Sequence, residues 1–194
     1  MNKQHKILYQ TPKFDVVEVE DSHGIVSTIE TVLVLPFICD DQGLPLMLGV
    51  MKEKNHFREG GFSIGPISGT CEIEDPDYLD TAKRELKEES GYDVQDTNKW
   101  YFLGTVTSSK FLDKEYPCFA VDVTGIPKEE AKTDGSEEEK FSSFIFIPAN
   151  DVVKSKDVFI PALFLKLFKF VVGMDLYNRE DSVFGKKRGL DIEI

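Results

Sequence analysis

With 194 residues, 41% of them apolar and 15 of them phenylalanine, the chain has material for one globular domain with a sizeable core and too little for two full ones. Its 23 basic against 35 acidic side chains leave a formal charge of −12, which excludes the broad basic surface that non-specific DNA or RNA binding needs, while a small phosphorylated ligand stays compatible if a metal and a few local cations reverse the field. No apolar run reaches the ~20 residues of a membrane span, Met1 to Gln10 lacks the apolar core of a secretory signal, and Cys39, Cys71 and Cys118 fit neither a disulfide framework nor a zinc site, so a cytoplasmic protein with reduced thiols is expected.

Phe14 to Glu20 alternates apolar and polar residues and Thr31 to Ile38 is β-branched and apolar, so both read as strands, the second buried. Asp40-Asp41-Gln42-Gly43 supplies a turn, and Pro45 to Met51 returns as the second arm of a hairpin. Lys52 to Gly69 is basic, aromatic and glycine-studded, and reads as loop, short strand, loop. A helix follows from Asp75, with that aspartate as its cap, Pro76 in the first turn and Gly91 as terminator. Tyr101 to Thr107 and Tyr116 to Val123 are strands, Thr124 to Lys140 is a long acidic loop ending in Glu137-Glu138-Glu139, and Phe141 to Ile147 is a strand closed by Pro148. Pro161 to Val172 is a helix with Lys166 and Lys169 on its wet side, packed over the sheet. The tail from Gly173 has no assigned structure.

The helix that ends at Gly91 carries the chemistry. Glu85, Glu88 and Glu89 stand three and four residues apart, so their carboxylates share one side of the helix and repel one another, next to an apolar stripe of Leu79, Ala82 and Leu86. A hard divalent cation with oxygen ligands, of the kind shared with substrate phosphates, offsets that repulsion. A solvated acidic face is the competing reading of the same residues.

Arg84-Glu85-Leu86 followed by Glu88-Glu89-Ser90-Gly91-Tyr92 resembles the second half of the Nudix box, Gly-x5-Glu-x7-Arg-Glu-U-x-Glu-Glu-x-Gly-U with U apolar, at every defined position. The first half is out of register. Strict spacing puts the glycine at Thr70 and the first glutamate at Pro76, whereas Gly69 lies one place early and Glu74 two, so Glu74 or Asp75 is expected to substitute. The order of elements and the late acidic loop are similar to the ADP-ribose pyrophosphatase branch of the family. The resemblance implies an α/β/α sandwich with a mixed central β-sheet, formed by residues 1–172. It also implies amino-terminal strands within 1–30 that cross over in a homodimer, and leaves 173–194 as an extension of unknown role.

It further implies metal-dependent hydrolysis of a phosphoanhydride in a nucleoside diphosphate linked to another group, with ADP-ribose or a nucleotide sugar first. Nucleoside triphosphates, dinucleoside polyphosphates and RNA caps are the alternatives, and a non-catalytic nucleotide sensor is the alternative of another class. By the same resemblance Glu85 and Glu89 are the principal ligands of magnesium, or of manganese in its place. Glu88 is a further ligand or orients the attacking water, the Ser68 carbonyl is a backbone ligand, and Arg84 holds the carboxylates by a forked ion pair. Glu138, between Glu137 and Glu139, is the expected general base. Lys52, Lys54 and Arg58 are candidates for the terminal phosphate and Phe57, Phe62 or Phe111 for stacking on a base, against the plainer reading of exposed surface.

Overall fold

A computed structural model describes residues 6–19, 22–55, 57, 59–131 and 142–172. Two sheets organise them. The first is a small amino-terminal sheet of β1 (Lys6–Gln10), β2 (Phe14–Val19) and β3 (Ser22–Ser27), antiparallel in that order, with the short β9 (Leu112–Asp113) added in parallel to β3. The second is built on β4 (Thr31–Cys39), β5 (Pro45–Lys54), β6 (Phe62–Gly65), β7 (Ile67–Thr70), β8 (Trp100–Val106), β10 (Tyr116–Asp122) and β11 (Ser143–Pro148). Its main path runs β11-β5-β4-β10-β8, with β6 on β5 and β7 on β4. Only β10 and β4 run parallel in it, so the sheet is mixed.

Strict alternation along the central strands feeds two separate cores. Val32 and Val34 of β4, Met51 of β5, and Phe119 and Val121 of β10 point to one face, where Ala82 and Leu86 of α1 (Tyr78–Ser90) close over them. Leu33, Leu35 and Phe37, Leu48 and Val50, and Cys118 and Ala120 point to the other, under Ile160, Leu163 and Leu167 of α2 (Phe159–Val172). The result is the α/β/α sandwich that the sequence implies.

The hairpin between β4 and β5 forms where Asp40 stands: its Oδ1 accepts the N–H groups of Gln42 and Leu44, both at 2.9 Å. The sheet-building expectation for Lys52 to Gly69 was one short strand; two form there, because β7 finds the amino-terminal half of β4 unpaired on that edge. Helix α2 starts at Phe159 rather than Pro161, since Asp157 Oδ1 accepts the N–H groups of Phe159 and Ile160 at 2.8 and 3.0 Å and leaves the proline inside the first turn, where it costs nothing. All three cysteines are free, and Cys118 alone of them is buried. No helix among the described residues is long and apolar enough to cross a membrane.

Candidate active site

Helix α1 begins two residues later than its sequence signals imply. Asp77, not Asp75, is the cap, and its Oδ1 accepts the Asp80 N–H at 2.9 Å. Asp75 is occupied elsewhere: its Oδ2 takes the Thr81 hydroxyl, the Glu72 N–H and Arg84 Nη2, and its Oδ1 takes Arg84 Nε at 3.3 Å. A side chain already held this way cannot also turn onto the helix end, so the cap passes to the next aspartate. Of the two acids offered for the first glutamate of the box pattern, Asp75 is the one that the fold brings into hydrogen bonds with Arg84.

Arg84 is the hub. Nη2 donates to the Thr70 carbonyl and to Asp75 Oδ2, each at 2.9 Å, while Nη1 reaches Glu85 Oε1 at 2.7 Å and Glu88 Oε2 at 3.2 Å, with Glu72 Oε1 at 3.8 Å. One planar guanidinium thus ties the loop before the helix to two of the helix carboxylates, a task suited to its fork of five donors. The hydrogen bonds from Arg84 are the main reason that the Asp75 carboxyl sits well below its usual range, at about 2. The guanidinium proton is held more tightly in return, chiefly by Asp75. Burial pushes Glu85 the opposite way, upward, against the pull of Arg84 and with the help of the Glu88 charge.

Glu85 lies against the sheet because β7 makes room for it. A Cβ placed on Gly69 would stand 1.9 Å from Glu85 Cδ and 2.1 Å from Oε1, so only glycine lets the carboxylate occupy that space. Ser68 precedes that glycine on the same strand, paired with Leu33 of β4. Glu88 is more open than Glu85, whereas Glu89 keeps one oxygen, Oε2, out of reach of solvent.

The donor set has the chemistry of a hard divalent cation site. Around the single guanidinium stand the carboxylates of Glu72, Asp75, Glu85 and Glu88, with Glu89 on the same helix, and the two lysines of α1 are turned away, Lys83 to Asp80 and Lys87 to Asp93. Negative charge is therefore left in excess. Among the described residues, no three His, Cys, Asp or Glu side chains are gathered closely enough to hold an ion as they stand, since Glu85 and Glu88 lean on Arg84. The residues fit the ion by type and by charge, with the guanidinium occupying carboxylate oxygens that an ion would share.

The expected substrate contacts are placed elsewhere. Lys52 pairs with Ser143 next to the Met51–Phe144 pair, so alternation turns it away from the box side, and its ammonium lies 4.7 Å from the centre of the Phe62 ring. Lys52 and Phe62 thus meet each other, and not the carboxylates. Arg58 and the loop acids Glu137, Glu138 and Glu139 lie outside the described residues. A cleft of about 370 Å³ opens at the amino-terminal end of α1, but its lining includes Glu30, Glu72, Asp75 and Asp77, a poor environment for a diphosphate. The site parts not read from the sequence are Gly69 as a cradle, the Thr70 carbonyl and Glu72; the misplaced glycine of the box pattern was the one signal for the first.

A family model described as the NUDIX domain matches residues 30–168. Among solved structures, a protein described as an ADP compounds hydrolase aligns with a TM-score of 0.64 at 15% identity, over 89% of this chain and 94% of that one. A Listeria monocytogenes protein assigned to the NUDIX hydrolases aligns with a TM-score of 0.53 at 21% identity, over 74% and 94% of the two chains. No curated protein matches the sequence significantly. With the family model covering well over half of the sequence and the fold and box helix arranged as described, the chain belongs to the Nudix family of pyrophosphohydrolases.

Proposed function

We propose that the chain hydrolyses the phosphoanhydride of an ADP-linked diphosphate, with ADP-ribose or a nucleotide sugar as substrate and magnesium, or manganese, as cofactor. The observation that carries the reading is the Arg84 hub, which fixes Glu85 and Glu88 beside the Gly69 cradle. Likeness in fold to a hydrolase of ADP compounds supports the substrate class. Glu85, Glu88 and Glu89, with the Ser68 carbonyl, would hold the ion, which when bound neutralises phosphate charge and activates water. Arg84 positions Glu85 and Glu88 and is itself aligned by Asp75 and Thr70. Glu138, from the acidic loop, is the base that takes the proton of the attacking water.

The same reading takes residues 1–172 as the catalytic unit and pairs two copies through the amino-terminal sheet, whose edge strand β1 exposes Ile7, Leu8 and Tyr9. A monomeric mass in solution at micromolar concentration would remove the dimer. Free cysteines suit a reducing compartment, and we assign the protein to the cytoplasm on that ground. The activity is tested by fragment release from ADP-ribose, NAD, nucleotide sugars, nucleoside triphosphates and dinucleoside polyphosphates, with magnesium and with chelator. Cleavage of the ADP-linked diphosphates that chelator abolishes is the expected result; preference for triphosphates or dinucleoside polyphosphates would overturn the substrate class.

A further inference from the structure

The strand that makes room for Glu85 carries different chemistry on its other side. Gly69 faces the carboxylate, so by alternation Ser68 and Thr70 of β7 turn to the opposite face of the sheet, where both are exposed. Their partners on β4 agree: Thr70 pairs with Thr31, and Ser68 with Leu33, whose side chain belongs to the core under α2. Thr31, Ser68 and Thr70 therefore bring their hydroxyls to one face of the sheet.

A cation stands among them. Lys114, in the short link between β9 and β10, donates to Thr31 Oγ1 at 2.7 Å. Its ammonium lies 5.0 Å from the centre of the Tyr116 ring, which packs on Phe159 of α2, so it is on this same face. Lys114 is half-buried, and burial pulls it below the usual lysine range. No carboxylate among the described residues pairs with it, although the whole chain carries a charge of −12. Glu30, the residue before Thr31, turns instead to the cleft at the start of α1, beside Tyr78.

An ammonium taken partly out of water without a counter-ion is costly, and an anion removes that cost. The hydroxyls complete a place for one. Thr31 Oγ1 accepts from Lys114 and keeps its own O–H to give, and the Ser68 and Thr70 hydroxyls make no hydrogen bond among the described residues. A cation and several hydroxyl donors with no acid beside them suit phosphate oxygens. Thr70 joins this face to the box, since its carbonyl accepts Arg84 Nη2 at 2.9 Å while its side chain stands on the open side. Among the described strands β7 pairs with β4 alone, so its other edge is free, and one strand width, ~5 Å, separates that edge from Thr31.

We propose that Lys114, with Thr31, Ser68 and Thr70, forms a phosphate subsite, which takes a phosphate group of the substrate lying over the free edge of β7. The inference rests on the reading of the box as the site where a diphosphate is cut. The phosphate is either that of the anhydride itself or a further one on the substrate, and the experiment separates these sources.

Lys114→Met keeps the side-chain length and removes the charge; Thr70→Val removes the hydroxyl and keeps the carbonyl that Arg84 holds. The first measurement needs no turnover: inorganic diphosphate is titrated into the protein with chelator present and followed by amide chemical shifts. Saturable shifts at 31, 68, 70 and 114 are expected, with affinity about tenfold or more weaker in Lys114→Met. No shifts there, or the same affinity in the variant, would overturn the subsite. The second measurement is kinetic, with ADP-ribose and with ADP-ribose bearing an added 2′-phosphate. In Lys114→Met KM should rise about tenfold with kcat within about threefold, and Thr70→Val should move KM the same way by less. A rise for both substrates assigns the subsite to the anhydride, and a rise confined to the second assigns it to the further phosphate. A fall in kcat with KM unchanged for both would overturn the subsite and leave Lys114 a brace beneath Thr31. Should no ADP-linked diphosphate be cut while the diphosphate shifts persist, the substrate reading falls and the subsite stands. If Lys114→Met does not fold, the parent titration and Thr70→Val decide.

Discussion

Replacing Gly69 by alanine adds one methyl group and tests the architecture of the box directly. The strand conformation accepts alanine, so the cost falls on the neighbour: the new Cβ would lie 1.9 Å from Glu85 Cδ, and ordinary contact begins at 3.4 Å, so the carboxylate must retreat by about 1.5 Å. That retreat takes Oε1 away from Arg84 Nη1, now at 2.7 Å. Misplacing a catalytic group by about 1 Å can cost about 10²-fold in rate, so kcat should fall by about that factor or more. Stability should change little, by about 1 kcal/mol or less, because the displaced carboxylate can turn toward water and only one hydrogen bond is lost. The assay is turnover of an ADP-linked diphosphate at saturating magnesium, beside thermal unfolding of the same preparation. A variant that unfolds as the parent does and keeps kcat within a few-fold would refute the argument, since Glu85 would then have no need of the place in which the structure holds it.

Asp75→Asn tests the clamp from the other side. The carboxyl titrates at about 2 in the folded chain against an ordinary 3.8, so its contribution is fully present above pH ~4 and is lost as the pH falls through about 2. The shift corresponds to about 2 kcal/mol at neutral pH. The variant should melt lower at pH 7, and the two melting curves should converge as the pH approaches 2; a gap that persists there would point to lost packing instead of lost charge. Arg84→Lys keeps the charge but cannot reach Asp75, Thr70 and Glu85 from one planar head, so kcat should drop roughly 10- to 100-fold with the fold intact, as read by steady-state kinetics and circular dichroism. Glu89→Gln should abolish most turnover and weaken manganese binding measured by electron paramagnetic resonance; unchanged binding and rate would remove Glu89 from the ion's ligands. Leu167→Ala, at a fully buried position of α2, should cost about 2–5 kcal/mol in denaturant unfolding while kcat per folded molecule stays as in the parent.

Much of the fold could be read from the chain because its signals are periodic and local. β4, β5, β8, β10 and β11 announce themselves by apolar runs and alternation, and the carboxylate helix by its spacing and terminal glycine. What the sequence misplaced depends on partners distant along the chain. Asp75-Pro76-Asp77 offers two aspartates to one helix end, and only the folded position of Arg84, nine residues on, decides that the first is taken. The short strands β1, β3 and β9 lack apolar–polar alternation of their own and pair along the edges that neighbouring strands offer. Gly69 and Gly91 were legible as box and terminator, but not as the spaces that Glu85 and the Glu129 carbonyl fill, since neither close approach leaves a mark in local sequence. Lys52 and Phe62 looked useful because they are basic and aromatic near the box; the alternation of β5 turns Lys52 to the far side, beside the Phe62 ring.

The division of the apolar interior into two cores, sharing a sheet but no side chain, has an evolutionary corollary. Odd and even positions of β4 answer to different neighbours: Val32 and Val34 must suit the helix that bears the acids, while Leu33, Leu35 and Phe37 need only suit α2. Substitutions on the α2 face can therefore accumulate and compensate among themselves, drifting in volume from one descendant to the next without retuning the chemistry beyond the strands. The face beneath the box helix has no such latitude, for there the same few residues pack the interior and set the angle at which the acids are presented.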